Sequence, residues 1–325
     1  MDVIYMLFSL SMGVAFSFGL SDPPNNFHPI SWLGKFIDTI IHKLKLKSEN
    51  SKIEKINGVI LTLFLASGAC ILSQLLSLYI YSIFGLIGFV IYAVIVLKSS
   101  IAILTMEKHV DTILRALDKN DLEGARRNLS YIVSRNTSTL DIQHILSGTI
   151  ESIGESVVDG IIAPLFYYSF FGPSGAVGYR IVNTLDSMIG YKDKYHLYLG
   201  WMSAKVDTIL NYVPARLSAM LMILSARIVG ADWKNSIQVL GTDHHNTYSA
   251  NAGYPMSTMA GALRIKLEKI DEYTLGSELE PLSIEKCRKA IKIMKVTTII
   301  FCLLVSFPLI ISLSAIGWWN FFFGF

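Results

Sequence analysis

The residues best suited to chemistry lie between positions 151 and 191, where polar side chains interrupt an apolar sequence. Glu151, Glu155 and Asp159 are spaced four residues apart, so a helix would place all three carboxylates on one face. Carboxylates near membrane depth are costly unless they face a protein interior or a water-filled cavity. The three acids therefore predict a site for a metal ion, another cation or a phosphorylated substrate. The alternative is that they are solvated helix ends beside a membrane.

A second polar group follows in the same stretch. Arg180, Asn183 and Asp186 recur every three residues, which again favours one face of a helix. Gly172 and Gly175 flank Pro173 upstream of this group, in the pattern GxxGxxG. We interpret that pattern as a turn with close helix packing rather than a phosphate cradle.

Other polar clusters are richer in functional side chains than packing requires, and their candidate residues are His28, Arg135, Asp207, Asn211, Arg216, Asn251 and Tyr254. Arginine suits phosphate and carboxylate ligands. Asp207 and Asn211 lie one turn apart on an otherwise apolar helix, which indicates a lined cavity. For a lone histidine such as His28, or a surface arginine such as Arg135, a structural role is the common alternative.

Several kinds of site are not supported by the sequence. It has no GxxxxGK[ST], GxGxxG, HExxH or GxSxG motif, which removes the signatures of phosphate-loop, dinucleotide, zinc-protease and serine-hydrolase sites. The three cysteines form no CxxC pair, so neither zinc nor a structural disulfide is expected. The net charge is only +3, and no basic run alternates with aromatic residues, so no nucleic-acid partner is expected.

The composition is that of an integral membrane protein. The 325 residues are 52% hydrophobic and 16% charged, with a mean hydropathy of +0.48, whereas soluble domains carry roughly 25% charged residues. Predicted spans cover about 3–20, 57–81, 83–105 and 296–319. Residues 3–20 lack a basic segment and a cleavage site, so we expect a retained span rather than a signal peptide.

Two further apolar segments carry polar residues on one face. Segments 148–171 and 206–230 are predicted to cross the membrane, enter it partway or pack as amphipathic helices. Lysine and arginine concentrate in 21–56, 106–147 and 231–295, which the positive-inside rule places in the cytoplasm. We therefore expect a multi-pass protein of the cell membrane whose active-site segments face the cytoplasm.

The expected fold is all-α, a polytopic helical membrane protein with cytoplasmic helical segments, organised as one membrane-embedded domain over 1–325. Apolar residues recur at helical spacing in 106–133, and Asp121 is a predicted N-cap. Segment 271–283 is predicted to be a loop. We find no strand-like alternation and no internal repeat.

Six segments, in order along residues 22–265, resemble the cobinamide-phosphate synthase family of cobalamin biosynthesis, the CobD/CbiB type. They are DPPNNFHPISWLGKFI, NDLEGARRNLSYIVSRNT, ESIGESVVDGIIAPLFYY, GAVGYRIVNTLDSMIGY, MSAKVDTILNYVPARLSA and SANAGYPMSTMAGAL. Each segment is weak alone, but six in the family's order make the match specific.

The chain departs from the family pattern at a few positions. The family usually has Gly-Arg-Asp where this chain has Ser-Arg-Asn at 134–136, and Glu-Asn where it has Glu155 and Ser156. Its Ser-Ala-Arg and paired aspartates appear here as Ser-Ala-Lys at 203–205 and Asp-Thr at 207–208. Asn136 can accept hydrogen bonds but lacks the carboxylate. Because the main acids are kept, we expect an active enzyme.

The resemblance implies a reaction. The family joins the side-chain carboxylate of adenosylcobyric acid to (R)-1-aminopropan-2-ol or its O-phosphate, which gives adenosylcobinamide or its phosphate. Amide formation needs an activated carboxylate, so ATP with Mg²⁺ and an acyl phosphate are expected. The implied partners are the corrinoid, the amino alcohol, the lipid bilayer and other late membrane proteins of the same pathway.

The resemblance and the residue types together assign expected roles. Mg²⁺ prefers one or two carboxylates with phosphates and water, and Glu151, Glu155 and Asp159 are its expected ligands. The residues expected to bind phosphate or the rest of the substrates are His28, Arg135, Arg180, Asn183, Tyr191, Asn211, Arg216, Asn251 and Tyr254. Asp186 or Asp207 would accept the proton of the attacking ammonium.

Two other classes of protein share some of these features. A membrane transporter has the same apolar composition and intramembrane acids, but the sequence shows no inverted repeat. A docking subunit for corrinoid enzymes would not need so many carboxylates and arginines near the bilayer.

Overall fold

The structure is a computed structural model that describes residues 3–20, 29–45, 51–190 and 197–323. The chain divides into two compact units that interleave along the sequence. The first unit comprises Met1–Ile101, Ala163–Leu210 and Val305–Phe325, and the second comprises Ala102–Ile162 and Asn211–Leu304. Over the described residues both units are almost entirely helical, which confirms the predicted fold class.

The first unit contains the long apolar helices. Its elements are α1 (Val3–Gly19), α2 (Pro29–Lys45), α3 (Ser51–Ser100), α7 (Ala163–Ile189), α8 (Trp201–Leu210), α13 (Phe307–Ala315) and α14 (Trp318–Phe323). Its core includes Ile37 and Ile41 of α2, packed against Leu61 of α3 and Leu185 of α7. Large apolar side chains such as Phe64 remain exposed along α3, as expected of a surface that faces lipid.

Helix α3 is a hairpin that turns back at Gly85. The Ser73 and Tyr92 hydroxyls lie 2.9 Å apart, although a straight helix would separate these residues by ~28 Å at 1.5 Å per residue. Gly85 has φ 60° and ψ −154°, a combination that only glycine adopts readily. The predicted pair of adjacent spans, 57–81 and 83–105, is thus a hairpin, but its turn is at Gly85 rather than between these two ranges.

Helix α7 repeats this turn at Gly172. Gly172 has φ 61° and ψ −148°, and the rings of Tyr167 and Tyr179 stack 5.5 Å apart, where a straight helix would separate them by ~18 Å. The predicted interpretation of these glycines as a turn with close packing is confirmed, because a Cβ at Gly178 would overlap the Cys70 sulfur.

The two turns are copies of one motif, so the expectation of no internal repeat was wrong. YSIFGLIG (81–88) and YSFFGPSG (168–175) share five of eight residues. A Cβ on the final glycine would meet Phe84 Cβ and Ile80 O in the first copy, and Phe171 Cβ and Tyr167 O in the second. These are equivalent positions in the two copies. The repeat was missed because only a short turn is shared and the arms differ in polarity.

Both hairpin tips point the same way. Ser174 Oγ lies 3.2 Å from Gln74 Oε1, and the Cys70 thiol donates to the Ser174 carbonyl at 3.6 Å. Ser174, near the second tip, lies beside Gln74, and Gly178, one turn further from that tip, lies beside Cys70, which is also further from the first tip. The second tip is therefore level with residues of the first hairpin that are ~16–22 Å from Gly85 along the helix. The repeat has parallel orientation, unlike the inverted-topology repeats of many transporters.

The second unit is built of shorter helices and one small hairpin of strands. Its elements are α4 (Ile103–Asp118), α5 (Leu122–Leu129), α6 (Ile142–Val157), a π-helical turn (Val158–Ile162), α9 (Tyr212–Ile228), α10 (Trp233–Asp243), α11 (Gly253–Leu263), β1 (Leu267–Lys269), β2 (Tyr273–Leu275) and α12 (Ile284–Phe301); a second π-helical turn (Cys302–Ser306) follows. The predicted cap is confirmed, since Gly124 N donates to Asp121 Oδ1 at 2.8 Å.

The antiparallel pair of β1 and β2 corrects the prediction that 271–283 is wholly a loop. Strands of three residues are too short to show an alternating pattern. Their turn contains Asp271 with φ 61°, a left-handed conformation that Asp tolerates better than most residues.

In the part of the chain that the structure describes, two helical segments are long and apolar enough to cross a membrane: Ser51–Asp118 and Ile284–Ala315. The bent pair Trp201–Leu210 and Tyr212–Ile228, at 44°, would add a third if it acts as one span, and Val3–Gly19 is a shorter apolar helix. Among the described residues, 148–171 does not meet these criteria. Its polar residues and short α-helical run explain the difference from a regular span.

Candidate active site

Helix α6 carries two of the predicted acids on one face, but their surroundings differ. Glu151 is only 4% exposed. Its Oε1 accepts from Ser147 Oγ at 2.7 Å and pairs with Arg135 Nη2 at 3.1 Å, while its Oε2 accepts from the Tyr273 hydroxyl at 2.8 Å. Both carboxylate oxygens are thus occupied by protein donors. Such a group serves as a fixed buried charge rather than as an open ligand position.

The strand hairpin closes over this face of α6. Glu268 N of β1 donates to Ser147 Oγ at 2.8 Å, and Arg135 Nη1 donates to Glu268 O at 3.4 Å. A Cβ at Gly148 would lie 2.5 Å from Arg135 Nη2, so glycine leaves the space for the guanidinium.

Sequence reasoning missed Ser147 and Tyr273 in this site. Ser147 lies one turn before Glu151 on the same face of α6, so the spacing could have indicated it. Tyr273 is 122 residues further along the chain, and no local pattern links it to Glu151.

Glu155, one turn after Glu151, has different surroundings. Its side chain is reached by solvent, yet burial among the surrounding protein, followed by the charge of Glu151, raises its pKa to about 7. Lys269 and Arg135 act in the opposite direction. Glu155 thus combines an exposed side chain with dense protein around it. A carboxyl with a pKa near neutrality can both take up and release a proton at physiological pH.

Asp159 does not continue the regular spacing of the two glutamates. The α-helix ends at Val157, and Asp159 lies in the π-helical turn Val158–Ile162, partly buried. Among the residues that the structure describes, no group of three or more His, Cys, Asp and Glu side chains is arranged to hold a metal ion. The structure therefore does not form the predicted ligand set of Glu151, Glu155 and Asp159, since one carboxylate is sealed in an ion pair and the helix changes register.

The first unit contains a separate polar group on α7 and α8. Arg180 Nη1 donates to Asn183 Oδ1 at 3.1 Å, and Asn183 Nδ2 lies 3.5 Å from Asp207 Oδ1. Burial, followed by the charge of Asp207, raises the pKa of Asp186 to about 7. The predicted shared face of Arg180, Asn183 and Asp186 is thus present, and α8 adds Asp207. The two neighbouring carboxylates, Asp186 and Asp207, would be stabilised by a cation or a proton.

A third group, in the second unit, surrounds Arg216. Its guanidinium carbon lies 3.4 Å from the centre of the Tyr212 ring and 4.3 Å from that of Tyr254. Arg216 Nη1 donates to Tyr212 O at 2.8 Å and to Asn251 Oδ1 at 3.3 Å. The guanidinium thus contacts both aromatic rings. Asn211, at the start of α9, is 2% exposed.

Two predicted site residues, His28 and Tyr191, lie outside the described residues. Asn136 is exposed, and its Oδ1 accepts from Ser138 N at 3.0 Å, so it stabilises a local turn. The departure from the family pattern at that position is therefore accommodated by the loop.

The fold and these groups define a helical membrane protein whose short-helix unit holds a buried carboxylate–arginine pair beside a second, water-reached carboxylate. No solved structure matches the chain.

Comparison with known sequences identifies the family. The family model described as "CobD/Cbib protein" matches residues 10–300. "Cobalamin biosynthesis protein CobD" of Dehalococcoides mccartyi is 35% identical over 279 residues, which are 86% of this chain and 89% of that protein. "Probable cobalamin biosynthesis protein CobD" of Methanothermobacter thermautotrophicus is 36% identical over 301 residues, 90% of this chain and 95% of the relative. The chain therefore belongs to the CobD/CbiB family of cobalamin biosynthesis proteins, which confirms the resemblance.

Proposed function

We propose that this protein forms an amide bond between the side-chain carboxylate of a corrinoid acid and the primary amine of (R)-1-aminopropan-2-ol or its O-phosphate. Membership of the family supports a step in cobalamin biosynthesis. The single structural observation that carries the chemistry is Glu155, a water-reached carboxyl with a pKa near neutrality beside a fixed ion pair.

The proposed reaction has two steps. The corrinoid carboxylate oxygen attacks the γ-phosphorus of ATP, which forms an acyl phosphate and releases ADP. The amine nitrogen then attacks the acyl carbon, the C–O bond to phosphate breaks, and inorganic phosphate leaves. The amine arrives as an ammonium and must lose its protons, so a base with a pKa near the working pH is needed. Glu155 meets that requirement in the second unit.

Mg²⁺ fits the Asp186 group better than the α6 acids. Asp186 and Asp207 would hold it, because hard cations prefer oxygen donors and accept one or two carboxylates with phosphates and water. When bound, Mg²⁺ would neutralise charge on the phosphates of ATP. Arg180, which lies on the same face, would add a guanidinium donor for phosphate.

Other predicted residues receive narrower roles. Arg135 is committed to Glu151, so we propose that it holds the site rather than a substrate phosphate. Arg216 and Tyr254 lie together, with Asn251 beneath the guanidinium, and offer a polar surface suited to a corrinoid edge with its amide groups. Asn211 and Asn251 are only 2% and 7% exposed, so we propose that both hold this surface in place rather than contact a substrate.

We propose that these groups act at the cytoplasmic face of the cell membrane. The lysine- and arginine-rich segments 21–56, 106–147 and 231–295 support that orientation through the positive-inside rule. A bilayer-anchored site could pass its large product to other membrane proteins of the pathway.

The test is turnover by the detergent-purified protein with adenosylcobyric acid, ATP, Mg²⁺ and each amine in turn, followed by mass spectrometry. An ATP-dependent product heavier than the acid by the amine minus water supports the proposal. Glu155→Gln should abolish that product, whereas the matched control Glu285→Gln, at an exposed glutamate, should retain it. Corrinoid binding without product from either amine would contradict the proposal and favour a transporter or a docking subunit.

A further inference from the structure

Glu151 is held by three donors from separate parts of the second unit. Ser147 lies on the same helix, Arg135 on the preceding loop and Tyr273 on strand β2, and their donor atoms lie 2.7–3.1 Å from its carboxylate oxygens. An arginine and two hydroxyls thus donate to one carboxylate, and together they fix its position inside the unit.

The donors are themselves fixed. The backbone of Glu268 accepts from Arg135 and donates to Ser147, so β1 ties the two donors together. Tyr273 is on the strand paired with β1, with Lys269 opposite it in the register. Displacing any one of these groups would disturb the position of the Glu151 carboxylate.

Glu155 is one helical turn from this carboxylate and is not held in the same way. Its carboxyl makes no hydrogen bond or ion pair with the residues that the structure describes, and solvent reaches it. The charged and titratable groups that act on it are Glu151, Tyr273, Lys269 and Arg135. Glu151 favours the protonated form of Glu155, and the two cations favour the ionised form.

We propose that Tyr273 and Ser147 are positioning residues that hold the Glu151 carboxylate one helical turn from Glu155, and that Glu155 is the base for the incoming ammonium. This inference rests on the proposed function for the identity of that ammonium. The electrostatic coupling of the two glutamates does not depend on it. Neither Tyr273 nor Ser147 needs to touch a substrate.

The first test is the pH profile of kcat for amide formation. A base must be ionised, so activity rises with pH through the pKa of Glu155. Glu151→Gln removes the like charge and should move that rise to lower pH by about one unit or more. Lys269→Met removes an opposing cation and should move the rise to higher pH. Glu285→Gln should leave the profile unchanged. An unmoved profile in both Glu151→Gln and Lys269→Met would overturn the proposal.

A double-mutant cycle tests whether Tyr273 acts through Glu151. Tyr273→Phe should lower kcat with little change in KM, and it should have no further effect on the pH profile in a Glu151→Gln background. Independent, additive effects would contradict a positioning role. Tyr131→Phe is the matched control, because that tyrosine is 73% exposed. Lys269→Met provides a second test if Glu151→Gln fails to fold. It removes only an ion pair with the exposed Glu272, so the variant is expected to fold.

An infrared titration separates this inference from the proposed function. The carboxyl stretch of protonated Glu155, assigned by its loss in Glu155→Gln, should titrate near pH 7 in the wild-type protein and at lower pH in Glu151→Gln. That shift without any amide formation would support the coupling and contradict the ligase reaction. Amide formation with an unshifted band would contradict the coupling and leave the reaction supported.

Discussion

The glycines of the first hairpin allow backbone strain, side-chain crowding and helix propensity to be tested within one helix. Gly85 adopts φ 60° and ψ −154°, and a Cβ there meets nothing within 4 Å, so Gly85→Ala tests the backbone alone. Such a conformation costs about 1–3 kcal/mol for a residue with a Cβ. Gly88 has an ordinary helical backbone, but its Cβ would lie 2.5 Å from Phe84 Cβ and 3.3 Å from Ile80 O. Gly88→Ala should therefore cost about 1–3 kcal/mol through overpacking.

Gly68 is the matched control on the same helix. A Cβ there meets nothing within 4 Å, so Gly68→Ala should be neutral or stabilising by up to about 1 kcal/mol through helix propensity. The assay is reversible unfolding of the detergent-purified protein with increasing SDS, followed by tryptophan fluorescence. Gly85→Ala and Gly88→Ala should unfold at lower SDS than wild type, and Gly68→Ala at the same or higher SDS. Equal stability of all three variants would refute the hairpin geometry.

Three further predictions concern the candidate site. The pKa of Asp186 is near 7 in the folded protein and about 4 in the unfolded chain. Between pH 4 and 7 the folded protein therefore holds a proton that the unfolded chain releases, so the free energy of unfolding falls as pH rises through this range. Asp186→Asn should reduce this fall in thermal unfolding measured from pH 4 to 8, leaving the share of Glu155, whose pKa is also about 7, and an unchanged pH dependence would contradict the burial of Asp186. Arg216→Lys keeps the charge but loses the guanidinium contact with Tyr212 and Tyr254, so KM for the corrinoid should rise at least several-fold, and an unchanged KM would exclude Arg216 from corrinoid binding. Chelation of divalent cations should abolish turnover and added Mg²⁺ should restore it, whereas chelator-resistant turnover would exclude the proposed metal.

Local patterns predicted the parts of the structure that depend on neighbouring residues. The spacing of Glu151 and Glu155, the cap at Asp121 and the turn at Gly172 each depend on residues within a few positions. Helical periodicity and glycine conformation act over that range, so the sequence was sufficient for them.

Long-range contacts and small departures from regular geometry could not be predicted. Tyr273 reaches Glu151 from a strand too short to show alternation. The π-helical turn at Val158–Ile162 moves Asp159 out of the expected register, and no residue pattern announces it. The partner of Arg135 was not predictable either, because an arginine before a turn can face solvent, phosphate or a buried carboxylate.

The two hairpins show how one turn serves arms of different chemistry. Where the second copy has Arg180, Asn183 and Asp186, the equivalent positions of the first are Ala93, Val96 and Ser99. The shared turn fixes the return of the chain, while the side chains on the arms decide whether a hairpin faces an apolar environment or carries polar groups. The residues that the two copies share are thus those that form the turn, whereas, of the two copies, only the second has residues proposed to take part in the chemistry.

The central claim is that this protein activates a corrinoid carboxylate with ATP and transfers the acyl group to an amine. The most direct test uses adenosylcobyric acid labelled with oxygen-18 in its free carboxylate, together with ATP, Mg²⁺ and the amino alcohol phosphate. An acyl phosphate route moves one carboxylate oxygen to phosphate, so mass spectrometry should find one labelled oxygen in inorganic phosphate and one in the amide product. Amide formation with unlabelled phosphate would contradict the acyl phosphate, and complete retention of the label in unreacted acid would contradict the ligase function itself.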